Sequence, residues 1–439
     1  MRESRPLEFP GTRPTYFVLA TSAVLALILL FATVDPWLDK SGILVGGLDV
    51  HVYRDGAWRI LHDRPLYTEP TFYGLLYTYT PFSALAFLPI ERVPWSAVTN
   101  TWLTVNVTAL LACVLRSWRI LGYRLSRRLF AVSVLLTLTC LFLEPVRTTL
   151  YYGQINLVLM LLVLWDWSRP EGARGRGVGV GIAAGIKLVP NYFVVQFAAM
   201  RQWRSVATAG TVFLATVAVS WVVLPADSRQ YWTSTFFQSS RIADDTHPAN
   251  QSLRGAVAHL LGRPAPVWLW VILACAVVAA SLAVTAALYR HGERLLAVIL
   301  TGLTACAVSP YSWGHHWVWF VPLLVYLVHR AQYRPIWWAI GGALYLSTAA
   351  WAYHWSATWV SIGVFLLPPS WPIAPLLMNA YVLCYFAILI GGWLSVRRMA
   401  RGVHGGGADE AHGEGDRAAE PFSRSPPAAG RTRRPADRR

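Results

Sequence analysis

The sequence predicts an all-α polytopic membrane protein. Of its 439 residues, 55% are hydrophobic and only 14% are charged, whereas about 25% of the residues of a soluble domain are charged. Long apolar runs recur along the chain, and the arginines gather in short stretches between them. The 22 tryptophans and 19 tyrosines suit the aromatic belts of a membrane protein. Runs of this number and length predict about 12 transmembrane helices.

The net charge and the cysteines exclude two other classes of protein. The charge is +16, but it is concentrated between apolar runs, as the positive-inside rule predicts, so we expect no nucleic-acid partner. The 5 cysteines are scattered within apolar segments, with no pair at the spacing of metal ligands. The sequence therefore predicts neither a disulfide framework nor a metal site.

The first predicted helix covers roughly residues 16–34. It follows a basic segment, residues 1–15, that we place on the cytoplasmic side. Residues 35–94 form a long outer loop, and its apolar part, residues 76–90, is predicted to lie along the membrane surface. If that part crossed the membrane, the basic segment 116–128 would fall outside, which the positive-inside rule disfavours.

The later predicted helices alternate across the membrane. They cover roughly residues 95–115, 129–147, 156–167, a hairpin of two short helices within 177–200, 205–224, 266–289, 295–308, a helix that ends near 330, 336–352 and 374–396. A single span kinked at Pro190 is the alternative to the hairpin. Further outer loops are predicted at 225–265, 309–316 and 353–372. The membrane domain thus covers 16–396, and we expect the basic residues 397–439 to form a disordered cytoplasmic tail.

The first outer loop holds Asp49 and His51, within the stretch Gly-Leu-Asp-Val-His-Val-Tyr-Arg of residues 47–54. An acid and an imidazole are costly to keep beside hydrocarbon, so their presence there indicates a functional site. The alternative is that Asp49 caps a short helix. A carboxylate just outside the first span is well placed to take a proton from a lipid-linked substrate.

The predicted topology puts almost all the unusual polar motifs on the outer side. Lys187 at the turn of the hairpin offers a point charge to a phosphate, although it could also reach the membrane surface along its own aliphatic stem. His315 and His316 are adjacent and point in different directions, which favours contact with a substrate over joint binding of a metal. Gln154 and Asn156 could instead cap the next helix.

These motifs occur in one order: Asp-Val-His-Val-Tyr, Tyr-Thr-Pro-Phe, Gly-Gln-Ile-Asn, a Gly-rich run into Lys-Leu-Val-Pro, Asn-Gln-Ser-Leu and Ser-Pro-Tyr-Ser-Trp-Gly-His-His. The series resembles glycosyltransferase family 87, membrane enzymes of the C-superfamily (the GT-C fold) that use polyprenyl-phosphate sugars, over residues 15–396. The first motif is most similar to the alpha-(1,2)-mannosyltransferase branch of actinobacteria. Thr80-Pro81 stands where that family often has two prolines.

The resemblance implies an inverting transfer of mannose from polyprenyl-phosphate-mannose to a mannosylated lipid, on the outer face of the plasma membrane. Asp49 would be the general base, and the second catalytic residue, His51, would orient Asp49 or the sugar together with Tyr53. Lys187, His315 and His316 would bind the departing phosphate, and no metal or cofactor is expected. The predicted substrate contacts are Tyr53, Arg54, Tyr79, Gln154, Asn156, Asn250, Gln251, Arg254 and Trp313.

Two other functions fit the sequence. Related enzymes of the same superfamily use polyprenyl-phosphate-arabinose, so an arabinofuranosyltransferase is the first alternative. A glycolipid transporter would explain the helices and the charge at Lys187, but it has no use for a base at Asp49.

Overall fold

The computed structural model of the chain describes residues 7–32, 46–238, 243–351 and 374–413. In these ranges the ordered elements are helices, joined by loops with two isolated β-bridges. The helices are α1 Arg13–Ala32, α2 Leu48–Leu61, α3 Pro81–Ala86, α4 Leu88–Glu91, α5 Trp95–Ile120, α6 Arg127–Cys140, α7 Glu144–Tyr152, α8 Asn156–Trp167, α9 Val178–Ile186, α10 Tyr192–Ala199, α11 Trp203–Val223, α12 Pro225–Thr233, α13 Leu253–Leu261, α14 Val267–Arg290, α15 Arg294–Val308, α16 Phe320–Ala331, α17 Ile336–Thr348, α18 Ala374–Leu377 and α19 Ala380–Gly413.

The helical, membrane-spanning character predicted from the sequence is confirmed. Five helices in the described ranges are long and apolar enough to cross a membrane, namely α1, α5, α11, α14 and the first 22 residues of α19. The pair α7 and α8 passes the same test as one span, bent by 118°. The predicted total of about 12 spans stays a prediction.

Two predicted regions lie wholly or mostly outside the described residues. These are the outer stretch 353–372 and the end of the tail, residues 414–439. The backbone of α19 continues through Gly413, past residue 396, where the sequence analysis ends the last span. The described residues up to 393 form one compact unit, which contains all the predicted site residues, and those from 394 to 413 belong to a second.

The first outer loop contains a short helix at Asp49, which the sequence analysis gave as the alternative to a functional role, but its N-cap is Gly47 and not Asp49. Asp49 lies in the first turn of α2, after Gly47, whose φ of 68° is left-handed and favours glycine. Further along the same loop, residues 76–90 contribute α3 and most of α4, which have only 6 and 4 residues. Neither helix is long enough to cross a membrane.

The break between α7 and α8 brings Gln154 close to α2. Gly153 ends α7 with φ 70°, and a Cβ atom there would lie 2.9 Å from the side chain of Val50. Only glycine combines this backbone conformation with so close an approach. The residue that follows Gly153 is therefore placed directly beside the first turn of α2.

The segment predicted as a hairpin forms two short helices, α9 and α10, with Lys187 at the break. Thr80 donates a hydrogen bond from its hydroxyl to the carbonyl of Gly185, which ties the first outer loop to the end of α9. Gly181 and Gly185 let α9 pack closely on α11, since a Cβ at either would lie under 3 Å from α11 atoms. These contacts fix the position of the lysine.

Candidate active site

Asp49 is a partly buried carboxylate with one strong hydrogen bond. Its Oδ2 accepts from Nε2 of Gln154 at 2.7 Å. Burial raises the pKa of Asp49 to about 6, while the Gln154 hydrogen bond and the positive charge of Lys187 oppose that rise. A carboxylate with this pKa is mostly ionised at neutral pH, yet it is a stronger base than an exposed aspartate.

Gln154 joins Asp49 to two tyrosines. Its Oε1 accepts hydrogen bonds from the hydroxyls of Tyr53 and Tyr79, each at 3.0 Å, and the two hydroxyls lie 2.8 Å apart. Because two O–H donors face one end of the amide, its N–H₂ end must face the carboxylate. The tyrosines therefore set the orientation of Gln154, and Gln154 holds one oxygen of Asp49.

Tyr53 is completely buried, and its ring stacks on Phe87 with centroids 4.4 Å apart. It therefore supports Gln154 from within the protein. Tyr79 also faces the next part of the site, because the ammonium of Lys187 lies 5.3 Å from the centre of its ring. An aromatic face attracts a cation at this distance.

Lys187 lies between α8 and the turn Gly314–Trp317. Its Nζ donates to Oδ1 of Asn156 at 3.2 Å and lies 3.0 Å from Nε2 of His316. Burial and the charge of Lys187 hold the pKa of His316 well below its usual value, so the imidazole is neutral and can accept the hydrogen bond. Among the described residues the ammonium thus has two neutral hydrogen-bond partners and no carboxylate within ion-pair distance, so its positive charge is available to a ligand.

His315 is oriented by its own backbone. Its carbonyl accepts from Nδ2 of Asn156 at 3.0 Å and from the hydroxyl of Thr149 at 3.4 Å. Burial and the charge of Lys187 keep its pKa well below the usual value. Nε2 of His315 is buried and has no hydrogen-bond partner within the described chain, and such a group calls for a partner that the protein does not supply.

A cavity of about 40 Å³ adjoins the lysine. Asn156, Lys187 and His316 line its polar end, and its apolar wall includes Phe193 and Trp319. A polar, cationic end with an apolar wall matches a phosphate attached to a hydrocarbon chain.

His51 and Arg54 lie on other faces of α2. The His51 ring packs 4.0 Å from that of Trp95, and its Nε2 is 3.1 Å from the hydroxyl of Thr99; in the described structure it makes no hydrogen bond to Asp49. Arg54 donates to the carbonyl of Glu91 at 3.1 Å and lies over Trp95. Both side chains hold α2 against the start of α5.

The Asn-Gln-Ser motif is buried and tied to the protein. Asn250 Oδ1 accepts from the amide of Ser312 at 3.2 Å, and the amide of Gln251 donates to the carbonyl of Ser312 at 2.7 Å. Gln251 Nε2 also donates to the carbonyl of Met378 at 2.7 Å. The motif therefore holds the loop that carries the two histidines in place, through hydrogen bonds to Ser312, which precedes them.

Arg254 and Trp313 lie beside this motif. Arg254 pairs with Asp245 at 2.9 Å. Trp313 is partly exposed and stacks on His315, with ring centroids 6.2 Å apart. Of these two, Trp313 is the one in contact with the proposed phosphate-binding residues.

Glu144 is a buried residue of the site that the sequence analysis missed. It accepts hydrogen bonds from Tyr381 and from Thr148. A Cβ at Gly314 would clash with both of its carboxylate oxygens, so the carboxylate packs directly under the turn Gly314–Trp317, which carries the two histidines. An acid inside the apolar run Leu-Phe-Leu-Glu-Pro is the signal that could have identified it.

The residues that meet at this site are Asp49, Gln154, Tyr53, Tyr79, Asn156, Lys187, His315 and His316. They supply one base, one fixed cation and two neutral imidazoles. Three or more His, Cys, Asp or Glu side chains in metal-binding proximity are not found among the described residues. The arrangement can take a proton at one end and stabilise a leaving anion at the other.

Comparisons with known proteins show the family to which the chain is related. Residues 77–310 match the model of Glycosyltransferase family 87. The chain is 33% identical over 314 residues, 70% of its length and 76% of the relative's, to a polyprenol-phosphate-mannose-dependent alpha-(1-2)-phosphatidylinositol pentamannoside mannosyltransferase of Mycolicibacterium smegmatis. The Mycobacterium tuberculosis protein of the same name is 32% identical over 320 residues, 72% of this chain and 74% of that protein.

A second Mycolicibacterium smegmatis relative is a polyprenol-phosphate-mannose-dependent alpha-(1-2)-phosphatidylinositol mannoside mannosyltransferase. It is 32% identical over 341 residues, which cover 69% of this chain and 75% of the relative. No solved structure matches the chain.

Proposed function

The chain belongs to glycosyltransferase family 87, and we propose that it transfers mannose from polyprenyl-phosphate-mannose to a hydroxyl of a mannosylated phosphatidylinositol. The product is an alpha-(1,2) linkage, and the enzyme is a hexosyltransferase of the membrane. The names of the relatives support both the donor and the acceptor class. The observation that carries the proposal is a carboxylate and an unneutralised ammonium joined through one short segment, residues 154–156.

The reaction is a single displacement at the anomeric carbon of mannose. Asp49 takes the proton of the acceptor hydroxyl as its oxygen forms the new bond to that carbon. The bond from the carbon to the donor phosphate breaks, and polyprenyl phosphate leaves with the electron pair. One displacement inverts the configuration, so a beta-linked donor gives an alpha-linked product.

The leaving phosphate is stabilised by charge and hydrogen bonds. Lys187 supplies the positive charge, and Asn156 and His316 hold its ammonium without cancelling that charge. His315 Nε2, which has no partner in the described chain, donates to a phosphate oxygen as a neutral imidazole. The apolar wall of the neighbouring cavity takes the first part of the prenyl chain.

The remaining predicted contacts divide into two groups. Tyr79 and Trp313 border the reaction space and contact the sugar or the phosphate. Tyr53, Arg54, Asn250, Gln251 and Arg254 act through the protein, because their polar atoms are used by other protein groups. Within this second group no residue needs to touch the substrate.

The active site is assigned to the extracytoplasmic face of the plasma membrane, with both termini in the cytoplasm. Support comes from the arginines at the far ends of the helices, which the positive-inside rule places in the cytoplasm. The end of α5, the turn after it and the start of α6 carry Arg119, Arg124, Arg127 and Arg128, while the start of α5 contacts α2 near Asp49.

The donor is tested by direct transfer. Purified protein receives polyprenyl-phosphate-[¹⁴C]mannose or polyprenyl-phosphate-[¹⁴C]arabinose, together with a lipid extract that contains phosphatidylinositol mannosides. We expect label in a glycolipid from the mannose donor only, released by an exo-alpha-(1,2)-mannosidase. Transfer from the arabinose donor alone would refute the proposal in favour of an arabinofuranosyltransferase, and binding of donor with no transfer of either label would favour a transporter.

A further inference from the structure

A second cavity lies at the opposite end of the helix bundle from Asp49. Its volume is about 450 Å³, and it is lined by Leu7, His329, Arg330, Tyr333, Arg334 and Trp337. It lies at the C-terminal end of α16. The N-terminal end of the same helix begins three residues after the turn Gly314–Trp317, which carries the two histidines. Twelve helical residues separate the two ends by about 18 Å, so the cavity is a site separate from the proposed reaction centre.

Hydrogen bonds within the protein hold two of the residues that line the cavity, Leu7 and His329. The backbone of Leu7 exchanges hydrogen bonds with Gly122 and Arg124, each at 3.0 Å, which fixes the N-terminal segment beside the cavity. The hydroxyl of Tyr123 lies 2.9 Å from Nδ1 of His329. A neutral His329 that accepts this hydrogen bond carries its own proton on Nε2.

Two arginines give the cavity its charge. Arg330 lies 3.4 Å from the carboxylate of Glu293, and its guanidinium lies 5.2 Å from the ring centre of Trp337. Arg334 is exposed, and in the described part of the chain its side chain has no hydrogen-bond or ion-pair partner. Among the described residues that line the cavity or pair with its lining, one acid faces two guanidinium groups, which leaves a net positive charge for a ligand.

The aromatic rings show what kind of anion fits. Tyr333 is 67% exposed and Leu7 is 45% exposed, and both line the cavity beside Trp337, so the rim of the cavity is apolar next to its charges. A soluble anion gains nothing from such a rim, whereas the headgroup and upper acyl chain of a lipid contact both parts. Basic pockets between membrane helices on the cytoplasmic side are a known setting for anionic headgroups.

We propose that this cavity, with Arg330 and Arg334 as its cationic ligands, binds the phosphate of an anionic phospholipid headgroup. The guanidinium groups donate to the phosphate oxygens, and Trp337 and Tyr333 lie at the level of the glycerol backbone. This proposal is independent of the proposed mannosyl transfer, since the lining residues of the cavity contact none of the residues assigned to the reaction.

The test is lipid binding to the delipidated, full-length protein in detergent, measured by native mass spectrometry. The probes are phosphatidylglycerol, phosphatidylcholine and inorganic phosphate. The parent protein should bind phosphatidylglycerol in preference to phosphatidylcholine. At about 1 kcal/mol for each arginine near a phosphate, Arg334→Gln should weaken phosphatidylglycerol binding about 5-fold, and Arg330→Gln with Arg334→Gln about 30-fold.

A matched control removes two charges from the same end of the bundle. Arg201 and Arg204 are exposed and lie outside the cavity, so Arg201→Gln with Arg204→Gln should bind phosphatidylglycerol like the parent. The single Arg334→Gln change keeps the proposal testable if loss of the Arg330 pair with Glu293 prevents folding. The proposal is overturned by equal losses in both double variants, by no preference between the two lipids, or by binding of inorganic phosphate with the affinity of phosphatidylglycerol.

Discussion

Gln154→Leu is the perturbation that most sharply separates a positioning role from a structural one. Leucine has nearly the volume of glutamine, but it removes the 2.7 Å hydrogen bond to Asp49 and the acceptor shared by Tyr53 and Tyr79. A hydrogen bond to a charged group contributes about 1.5–3 kcal/mol. Because the lost bond stabilises the ionised carboxylate, the pKa of Asp49 must rise.

The size of the rise follows from the bond. One pKa unit corresponds to about 1.36 kcal/mol, so the pKa of Asp49 should move up by about 1 to 2, from about 6. At pH 7 the ionised fraction then falls from about nine-tenths to between about one half and one tenth. The acid limb of the pH–rate profile should shift by the same amount toward higher pH, with an additional loss of kcat from the misplaced oxygen.

The assay is initial-rate mannosyl transfer between pH 5 and 9. The other titratable groups that face Asp49 are Lys187, Tyr53, Tyr79 and Tyr152. Burial lowers the pKa of Lys187 to about 8 and raises the pKa values of the three tyrosines above their usual value. The acid limb of the parent near pH 6 therefore reports Asp49, and Lys187 gives a separate basic limb near pH 8. Gln196→Leu is the matched control, since Gln196 is a buried glutamine that is bonded to Thr285, away from the site. A Gln154→Leu enzyme with the parental pH profile and kcat would refute the positioning role.

Other consequences of the structure can be measured independently. Lys187→Met should lower kcat by about 10²–10³ with a smaller change in acceptor KM; a parental kcat would show that the lysine does not stabilise the leaving phosphate. Asp49→Asn should raise the free energy of unfolding at pH 7 by up to about 3 kcal/mol, because folding raises the pKa of Asp49 from its usual 3.8 to about 6. The folded parent then holds the proton of Asp49 more tightly than the unfolded chain, so its stability falls as pH rises from about 4 to about 6. The extra stability of Asp49→Asn should therefore vanish near pH 3. Thermal unfolding that shows the same stabilisation at pH 3 and at pH 7 would contradict this prediction. Gly153→Ala should cost about 1–3 kcal/mol, since alanine meets both a φ of 70° and Val50 at 2.9 Å, whereas Gly342→Ala, with no atom within 4 Å of its Cβ, should be neutral or stabilising in the same unfolding assay.

The class of fold could be predicted from the sequence because a membrane helix is identified by a local run of apolar residues. Apolar length alone identifies α1, α5, α11, α14 and α19, and the acid at residue 49 stands out because charge is costly beside hydrocarbon. The bounds of helix α2 were not predicted because its sequence mixes charged, polar and aromatic residues and contains no long apolar run. Its packing against other elements of the site decides that it forms.

The roles of individual residues depend on tertiary contacts that no local pattern contains. Gln154 and Asn156 were identified from their motif, but only the fold shows one bonded to Asp49 and the other to Lys187. His51 is two residues from Asp49 in sequence, yet the helical periodicity turns it toward Thr99 and Trp95. Glu144 could be seen as an acid in an apolar run, but its place under Gly314 could not.

The central claim is that Asp49 is the general base of mannosyl transfer. The most direct measurement compares the parent with Asp49→Asn for transfer of labelled mannose and, in the same preparations, for binding of polyprenyl-phosphate-mannose. The account predicts that the variant binds the donor with near-parental affinity while its kcat falls by about 10²–10⁴, the contribution of a general base. Near-parental transfer by Asp49→Asn, with the donor bound, would contradict it.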